Sequence, residues 1–236
     1  MKLKQDIIVA IDGPSSSGKS SLAKKLAQAL SYTYIDTGAM YRAVTLWAIE
    51  NNCFENNNLI EDKIVQNLKN IQLSFNYDFQ QQKSHIFLNT IDVEDKIRQP
   101  FVADKVSIIA AVAQIRDYLV EIQQKLGANK RIVMDGRDIG TVVFPNADIK
   151  FYITASVQER ANRRYKELKE KDPNIDYQQV LENLKQRDFI DTTRQKEPLR
   201  MANDAILIDN TNINQYETFI LLASLIAHRF GFGVTF

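Results

Sequence analysis

The chain is short of several things, and each shortage removes a class of protein. One cysteine, Cys53, stands among 236 residues. No intrachain disulfide can form, no thiolate metal site can be assembled, and a partly buried small apolar side chain is the expected role. Lys and Arg number 30 against 29 Asp and Glu, a net charge of +1. Such a balance gives no bulk attraction to nucleic acid or to an anionic membrane, so any anionic ligand must be held by local arginines. Long apolar runs are missing too. The run Ile7–Ile11 near the start is too short for a signal segment, and nothing reaches the length of a membrane-spanning helix, so a cytoplasmic setting is expected. With 44% hydrophobic and 25% charged residues, the chain can bury a core without staples.

Against that plain background the order of patterns stands out. Ile7–Ile11 is a continuous apolar run that suits a strand buried on both faces. A small-residue loop, Gly13 to Gly18, follows it. Leu22, Ala23, Leu26, Ala27 and Leu30 then share one helical face, as do Met40, Ala43, Val44, Trp47 and Ala48 in a second helix over Gly38–Glu50. Further buried strands are expected at Tyr34–Ile35, Arg131–Asp135, Asp148–Thr154 and Ala205–Asp209. Helices are expected at Phe101–Leu126 (one or two pieces), Ser156–Lys171, Tyr177–Asp188 and Gln215–Phe230. The alternation predicts an α/β fold with about five parallel core strands covered by helices. Asn51 to Asn58 is polar and predicts loop, and Leu59 to Ile71 predicts helix. Leu73–Tyr77 and His85–Leu88 predict a β-hairpin around a polar turn, Asp78 to Lys83. That hairpin breaks the alternation, so a single domain over 1–236 is expected to carry an inserted subdomain at 60–100.

Gly13-Pro14-Ser15-Ser16-Ser17-Gly18-Lys19-Ser20 fits the phosphate-loop pattern at every fixed position, between a strand and a helix. Its glycines let successive N–H groups turn toward one anion, and the next helix aims its positive end there. Lys19 adds a charge for the β- and γ-phosphates of ATP, and the Ser20 hydroxyl is a hard ligand for Mg²⁺; Ser21 completes the ATP-binding stretch. The base-reading Asn-Lys-x-Asp of GTPases is lacking: Asn129-Lys130-Arg131-Ile132 has no Asp. A small kinase is the better reading.

Asp12, Asp36 and Asp135 each end an expected strand, where parallel sheets gather ligands. Asp135 has the form of an acid that holds hydrated Mg²⁺. For Asp12 and Asp36 two readings stand side by side: a place near the phosphates, or a helix cap or turn former. Arg160, Arg163 and Arg164 share one helix face. They suit either the charge of a transferred phosphoryl group or plain surface pairing with Glu159 and Glu167. Arg187 and Asp191 lie four residues apart and also read as a surface pair.

Ile11-Asp-Gly-Pro-Ser15 with Gly18-Lys-Ser20, Asp36-Thr-Gly-Ala-Met-Tyr-Arg42, Asp135-Gly-Arg-Asp138 running on to Pro145, and Arg187…Asp191…Arg194 occur here in one order and spacing. In these segments the chain resembles the bacterial cytidylate kinases, a family of P-loop nucleoside monophosphate kinases, over almost its whole length. The resemblance implies ATP-dependent phosphorylation of CMP and dCMP by a monomer, with the hairpin insertion binding the acceptor and 156–194 acting as a helical lid. It implies that Arg42, Arg137 and Arg194 grip the CMP phosphate. Thr37, Ser107, Arg116 and Asp138 would surround the cytosine, and Arg187 and Asp191 would contact the ribose. The catalytic group would be Lys19, Arg137, Asp135 and the lid arginines Arg160 and Arg163, with Arg164 a third candidate. Another small kinase, for UMP or a shikimate-like alcohol, and an inactive nucleotide-binding regulator are the competing readings; the intact Lys19, Ser20 and Asp135 oppose the last.

Overall fold

The computed structural model describes residues 3–56, 58–78, 83–170 and 172–231. They divide into two compact units, one built from residues up to Ile35 together with those from Leu126 onward, the other from Asp36 to Lys125.

The first unit is organised by strand β1 (Ile8–Asp12), whose last four residues are buried. Apolar residues on both pleat faces make it a central strand. Helix α1 (Lys19–Leu30) follows and buries Leu22, Ala23, Leu26, Ala27 and Leu30, as the 3.6-residue spacing predicts. Strand β2 (Thr33–Asp36) closes this first passage. Helix α2 (Thr37–Glu50) opens the second unit. Two short strands, β3 (Phe54–Glu55) and β4 (Asn58–Leu59), pair antiparallel where the sequence predicts loop. The expected helix over 59–71 is also interrupted. Only α3 (Glu61–Val65) and a 3₁₀ turn at Leu68–Asn70 form. Asn67 Nδ2 donates to Lys63 O and Asn70 Nδ2 to Asn67 Oδ1, the local side-chain bonding by which asparagine competes with helix.

Strands β5 (Leu73–Asp78) and β6 (Lys83–Leu88) form the expected hairpin; its turn at 79–82 lies outside the described residues. A third strand, β7 (Ile91–Asp92), extends this sheet. It follows a tight turn in which Asn89 and Thr90 both have positive φ, +48° and +72°. The turn carries no glycine, and so the sequence conceals it. The long helix expected to 126 comes in three pieces: α4 (Pro100–Ala103), α5 (Val106–Ala111) and α6 (Ala113–Leu126). In one straight helix Ile115 would face roughly half a turn away from Val106. The extended Val112 (ψ 121°) re-phases the chain, so that Val106, Ile109, Ile115 and Leu119 all enter one core with Met40, Val44 and Ile86. Cys53 is buried in the same core.

The chain then returns to the first unit with β8 (Ile132–Gly136), a π-helical segment at Ile139–Val143, and β9 (Ile149–Thr154). Helices α7 (Val157–Lys169) and α8 (Tyr177–Thr193) follow; Lys171, the expected end of the former, lies outside the described residues. The latter runs five residues beyond the expected Asp188 and so carries Asp191 on the same helix as Arg187. Strand β10 (Ile206–Asp209) and α9 (Gln215–Phe230) complete the unit, the helix opening on a capping box of Asn214 and Glu217. The sheet order is β10-β9-β1-β8-β2, five strands. β1 pairs in parallel with β8 and β9, and β9 with β10. Ile7, Val9, Ile11, Val133, Phe151 and Ile153 pack with Leu22, Leu26 and Leu222 into its core. Successive strands switch sides of β1 here. The carboxyl ends of β1, β8 and β9 therefore form the place where an open α/β sheet takes a ligand.

Candidate active site

The loop leaving β1 bends where only glycine fits. Gly13 has φ +151°, and a Cβ there would lie 2.0 Å from the Ile153 carbonyl oxygen. Gly18, at φ +83°, is the N-cap of α1. Lys19 is almost wholly buried, and its Nζ donates to Pro14 O at 3.1 Å. Ser17 Oγ is buried and makes no hydrogen bond among the described residues, the kind of atom a phosphate oxygen would satisfy. A twelve-residue helix standing on this loop gives the anion site its positive end.

At the end of β8, Asp135 is 2% exposed. Its Oδ2 accepts from Ser20 Oγ at 2.7 Å and its Oδ1 from Tyr34 OH at 2.8 Å. Two hard oxygens are thus side by side at the phosphate loop. No cluster of three or more His, Cys, Asp or Glu able to hold a metal occurs among the described residues. A donor set of one carboxylate and one hydroxyl fits Mg²⁺, which keeps most of its waters and completes its shell with phosphates.

Arg137 ties three segments together. Its Nη2 donates to Ser15 Oγ of the phosphate loop at 2.7 Å, and its Nε donates to Asp191 Oδ2 on α8 at 2.8 Å. Arg194 stands 3.9 Å from Asp138 and 3.8 Å from Asp191. Burial pushes the Asp191 carboxyl up, but the charge and hydrogen bond of Arg137, with Arg187 and Arg194, outweigh it and hold the group below the usual carboxylate range. Arg137 is likewise opposed by burial and held protonated by Asp191 above all. Asp191 is therefore no surface pair of Arg187; it is a buried carboxylate among three arginines.

Two of the helix α7 arginines face the phosphate loop. Arg160 Nη1 donates to Ser15 O at 3.1 Å and pairs with Asp188 at 2.7 Å. Arg163 donates to Ser17 O at 3.4 Å and, through Nε, to Glu159 at 2.9 Å. Arg164 instead pairs with Glu167 at 2.9 Å.

The structure gives Asp12 and Asp36 bonds of the capping kind. Asp12 accepts from the N–H groups of Ile139 and Gly140, the first two residues of the π-helical segment, both at 2.7 Å. Burial drives its carboxyl up to about 7, against the pull of those two bonds. Asp36 caps α2 by accepting from Ala39 N at 2.9 Å.

The other expected acceptor residues, Thr37, Arg42, Ser107 and Arg116, belong to the second unit. Thr37 opens α2 and is buried. Arg42 donates to Asp36 Oδ2 at 2.8 Å; Arg98, which the sequence reading passes over, reaches the same oxygen at 3.1 Å and Glu94 at 2.6 Å. Burial alone would raise the Asp36 carboxyl, yet the two guanidinium groups and the cap bond bring it down to about 2. Ser107, on α5, is 4% exposed, and Arg116, on α6, is 1% exposed. The Arg116 guanidinium lies 5.7 Å from the Tyr41 ring centroid and donates to Ala110 O.

One further feature lies beside the phosphate loop. A cavity of about 450 Å³ is lined by Gly18, Leu22, Arg163 and the stretch Asn210–Gln215. Only the run of asparagines at 210, 212 and 214 could have signalled it from sequence.

A five-stranded sheet with its phosphate loop at the switch point, a buried Lys19 and a Ser20–Asp135 pair define a P-loop nucleotide-binding protein. The cytidylate kinase family profile matches residues 9–226. A cytidylate kinase of Flavobacterium psychrophilum is 48% identical over 220 residues, covering 93% of this chain and 97% of its own. That of Parabacteroides distasonis is 49% identical over 211 residues, covering 89% and 92%. That of Fusobacterium nucleatum is 49% identical over 209 residues, covering 88% and 91%. The chain belongs to the cytidylate kinase family.

Proposed function

We propose that the protein transfers the γ-phosphoryl group of ATP to CMP and dCMP, giving ADP and the cytidine diphosphate. Beside its family membership, the single observation that carries this reading is Arg137 joining Ser15 of the phosphate loop to Asp191. It links the loop that would hold the donor to the residues expected to hold the acceptor.

A phosphate oxygen of CMP attacks the γ-phosphorus in line, and the bond to the β-phosphate oxygen breaks. No covalent enzyme intermediate is needed, only placement and charge neutralisation. Lys19 and the loop N–H groups hold the β- and γ-phosphates. Arg137, Arg42 and Arg194 hold the acceptor phosphate, and Arg160 and Arg163 neutralise the group in transit. Ser20 and Asp135, the latter through water, would hold Mg²⁺, which would supply charge compensation at the phosphates. The cavity beside Asn210–Gln215 receives the base of ATP. Thr37, Ser107, Arg116 and Asp138 read cytosine, and Arg187 and Asp191 the ribose. The segment 60–100 serves acceptor binding and 156–194 closes as a lid. The enzyme works as a monomer in the cytoplasm and needs neither nucleic acid nor membrane. No helix among the described residues is long and apolar enough to cross one.

The test is ATP consumption against a panel of CMP, dCMP, UMP, AMP, GMP and shikimate. The reading expects CMP and dCMP to be preferred. Preference for UMP or shikimate would transfer the site to another acceptor, and no turnover with any of them would leave a nucleotide-binding regulator.

A further inference from the structure

Asn210 follows β10 directly and is 3% exposed. Its hydrogen bonds enter three separate segments. The backbone N–H donates to Thr154 O at the end of β9, 2.8 Å away. The side-chain Nδ2 donates to Ser17 O in the phosphate loop at 2.9 Å. On its other side Oδ1 accepts from Arg163 Nη1 at 2.9 Å, and the backbone oxygen accepts from Arg163 Nη2 at 2.7 Å. The amide orientation is fixed by its neighbours. Turned over, it would set an NH₂ against a guanidinium and an oxygen against a carbonyl.

The contact with Ser17 bears on how the loop works. A phosphate loop binds by pointing N–H groups inward, so its carbonyls must point outward and find donors there. Ser15 O has Arg160 Nη1, and Ser17 O has Asn210 Nδ2 at 2.9 Å with Arg163 Nη1 farther off at 3.4 Å. Because a peptide unit is planar and trans, the Ser17 carbonyl and the Gly18 N–H point in opposite directions. Gly18, at φ +83°, has no Cβ to resist rotation of that plane. Something outside the loop must hold it.

We propose that Asn210 is a positioning residue of the donor site: it pins the Ser17 carbonyl outward, which aims the Gly18 N–H at the phosphates of ATP, and it keeps Arg163 against the loop. Asparagine suits the place because one amide gives a donor to the carbonyl and an acceptor to the arginine at once. The proposal rests on the reading of the loop as an ATP site and says nothing of the acceptor.

Two nearly isosteric variants test it. Asn210→Leu removes both amide functions. Asn210→Asp keeps the acceptor for Arg163 but sets a carboxylate oxygen against the Ser17 carbonyl. ATP binding is measured directly by calorimetric titration, KM for ATP and for CMP are measured separately, and both variants are melted. The hydrogen bond to the Ser17 carbonyl is lost in both variants, and its loss should weaken ATP binding about tenfold in each, with KM for CMP changed by less than roughly twofold. The Asp variant should be no better than the Leu variant, since its carboxylate repels the Ser17 carbonyl and the Arg163 contact it keeps reaches that carbonyl only at 3.4 Å. Unchanged ATP binding in a folded variant would overturn the proposal. Equal rises in both KM values with a large drop in Tm would overturn it too, as would failure of both variants to fold, because Asn210 would then be only a structural strut. If Leu alone fails to fold, the Asp titration decides. Wild-type protein that binds ATP but does not phosphorylate CMP would remove the kinase reading and leave the role of Asn210 to the titration.

Discussion

The Ser20 hydroxyl donates to Oδ2 of Asp135 across 2.7 Å, although 115 residues separate them in the chain. If the two together hold Mg²⁺, Asp135→Asn, which keeps the shape and removes the charge, should raise the Mg²⁺ concentration for half-maximal activity about 10- to 100-fold. A magnesium titration at saturating nucleotides reads this. An unmoved midpoint would take Asp135 out of the metal site.

Lys19 is nearly buried and held on the loop by Pro14 O, so its charge is preorganised. Lys19→Ala should cost about 3 kcal/mol or more of barrier, roughly a hundredfold in kcat, while the melt stays close to wild type. Normal turnover in the folded variant would sink the phosphate-loop assignment.

Asp138 is proposed to accept from the exocyclic amine of cytosine. Uracil offers a carbonyl there, and two acceptors would face one another in a dry pocket, a mismatch that discriminates strongly. Asp138→Ala should therefore cost more kcat/KM with CMP than with UMP and narrow the ratio between them. Arg194, 3.9 Å away, gives Asp138 another role, as a brace. In that case both substrates lose alike and Tm falls.

Asp12 sets a pH dependence of stability. Its carboxyl is raised by burial from 3.8 to about 7, so the folded protein binds this proton more tightly than the unfolded chain does. That contribution is complete below about pH 4 and is lost as pH rises through about 7. Asparagine does not titrate. Between pH 5 and 8 the wild type should lose on the order of 2–3 kcal/mol relative to Asp12→Asn. Parallel Tm profiles for the two proteins would refute it.

Asp191 works with the opposite sign. Its lowered carboxyl contributes stability above the ordinary carboxylate range and loses it as pH falls. Arg137→Met leaves that charge buried without its main partner, at a cost of about 3 kcal/mol near neutral pH. The Tm deficit should shrink as pH falls below the ordinary carboxylate range, where the wild type loses this contribution and the unpartnered carboxylate of the variant takes a proton. A deficit independent of pH would mean that Arg137 acts through packing alone.

The parallel sheet and the phosphate loop were legible because both depend on local pattern: unbroken apolar runs such as Ile8–Ile11, and a motif with fixed spacing. What stayed hidden depends on bonds between distant segments. Asp12 offered a cap or a phosphate contact until Ile139 and Gly140 supplied the N–H groups it accepts from. Arg187 and Asp191 lie at helical spacing and read as a surface pair until Arg137, 54 residues before Asp191, came within 2.8 Å of it. Asn210, 193 residues from the Ser17 carbonyl it binds, gives no local sign of that contact. The break at Val112 could not be placed from sequence for a different reason: apolar periodicity was present on both sides, and only its phase changed.

The position of β1 in the sheet has a consequence for biosynthesis. Its two neighbours are β8 and β9, which begin at Ile132 and Ile149. At ordinary elongation rates a ribosome needs roughly 6–24 s to reach β8 after finishing β1. Through that interval both edges of an apolar strand wait without their partners. The 36–125 unit is continuous in the chain, and its apolar cluster is made entirely from residues already synthesised. It can therefore collapse while the nucleotide-binding sheet is still an unfinished template. A chaperone that shields nascent strands would be needed early, for Ile7–Ile11, rather than late.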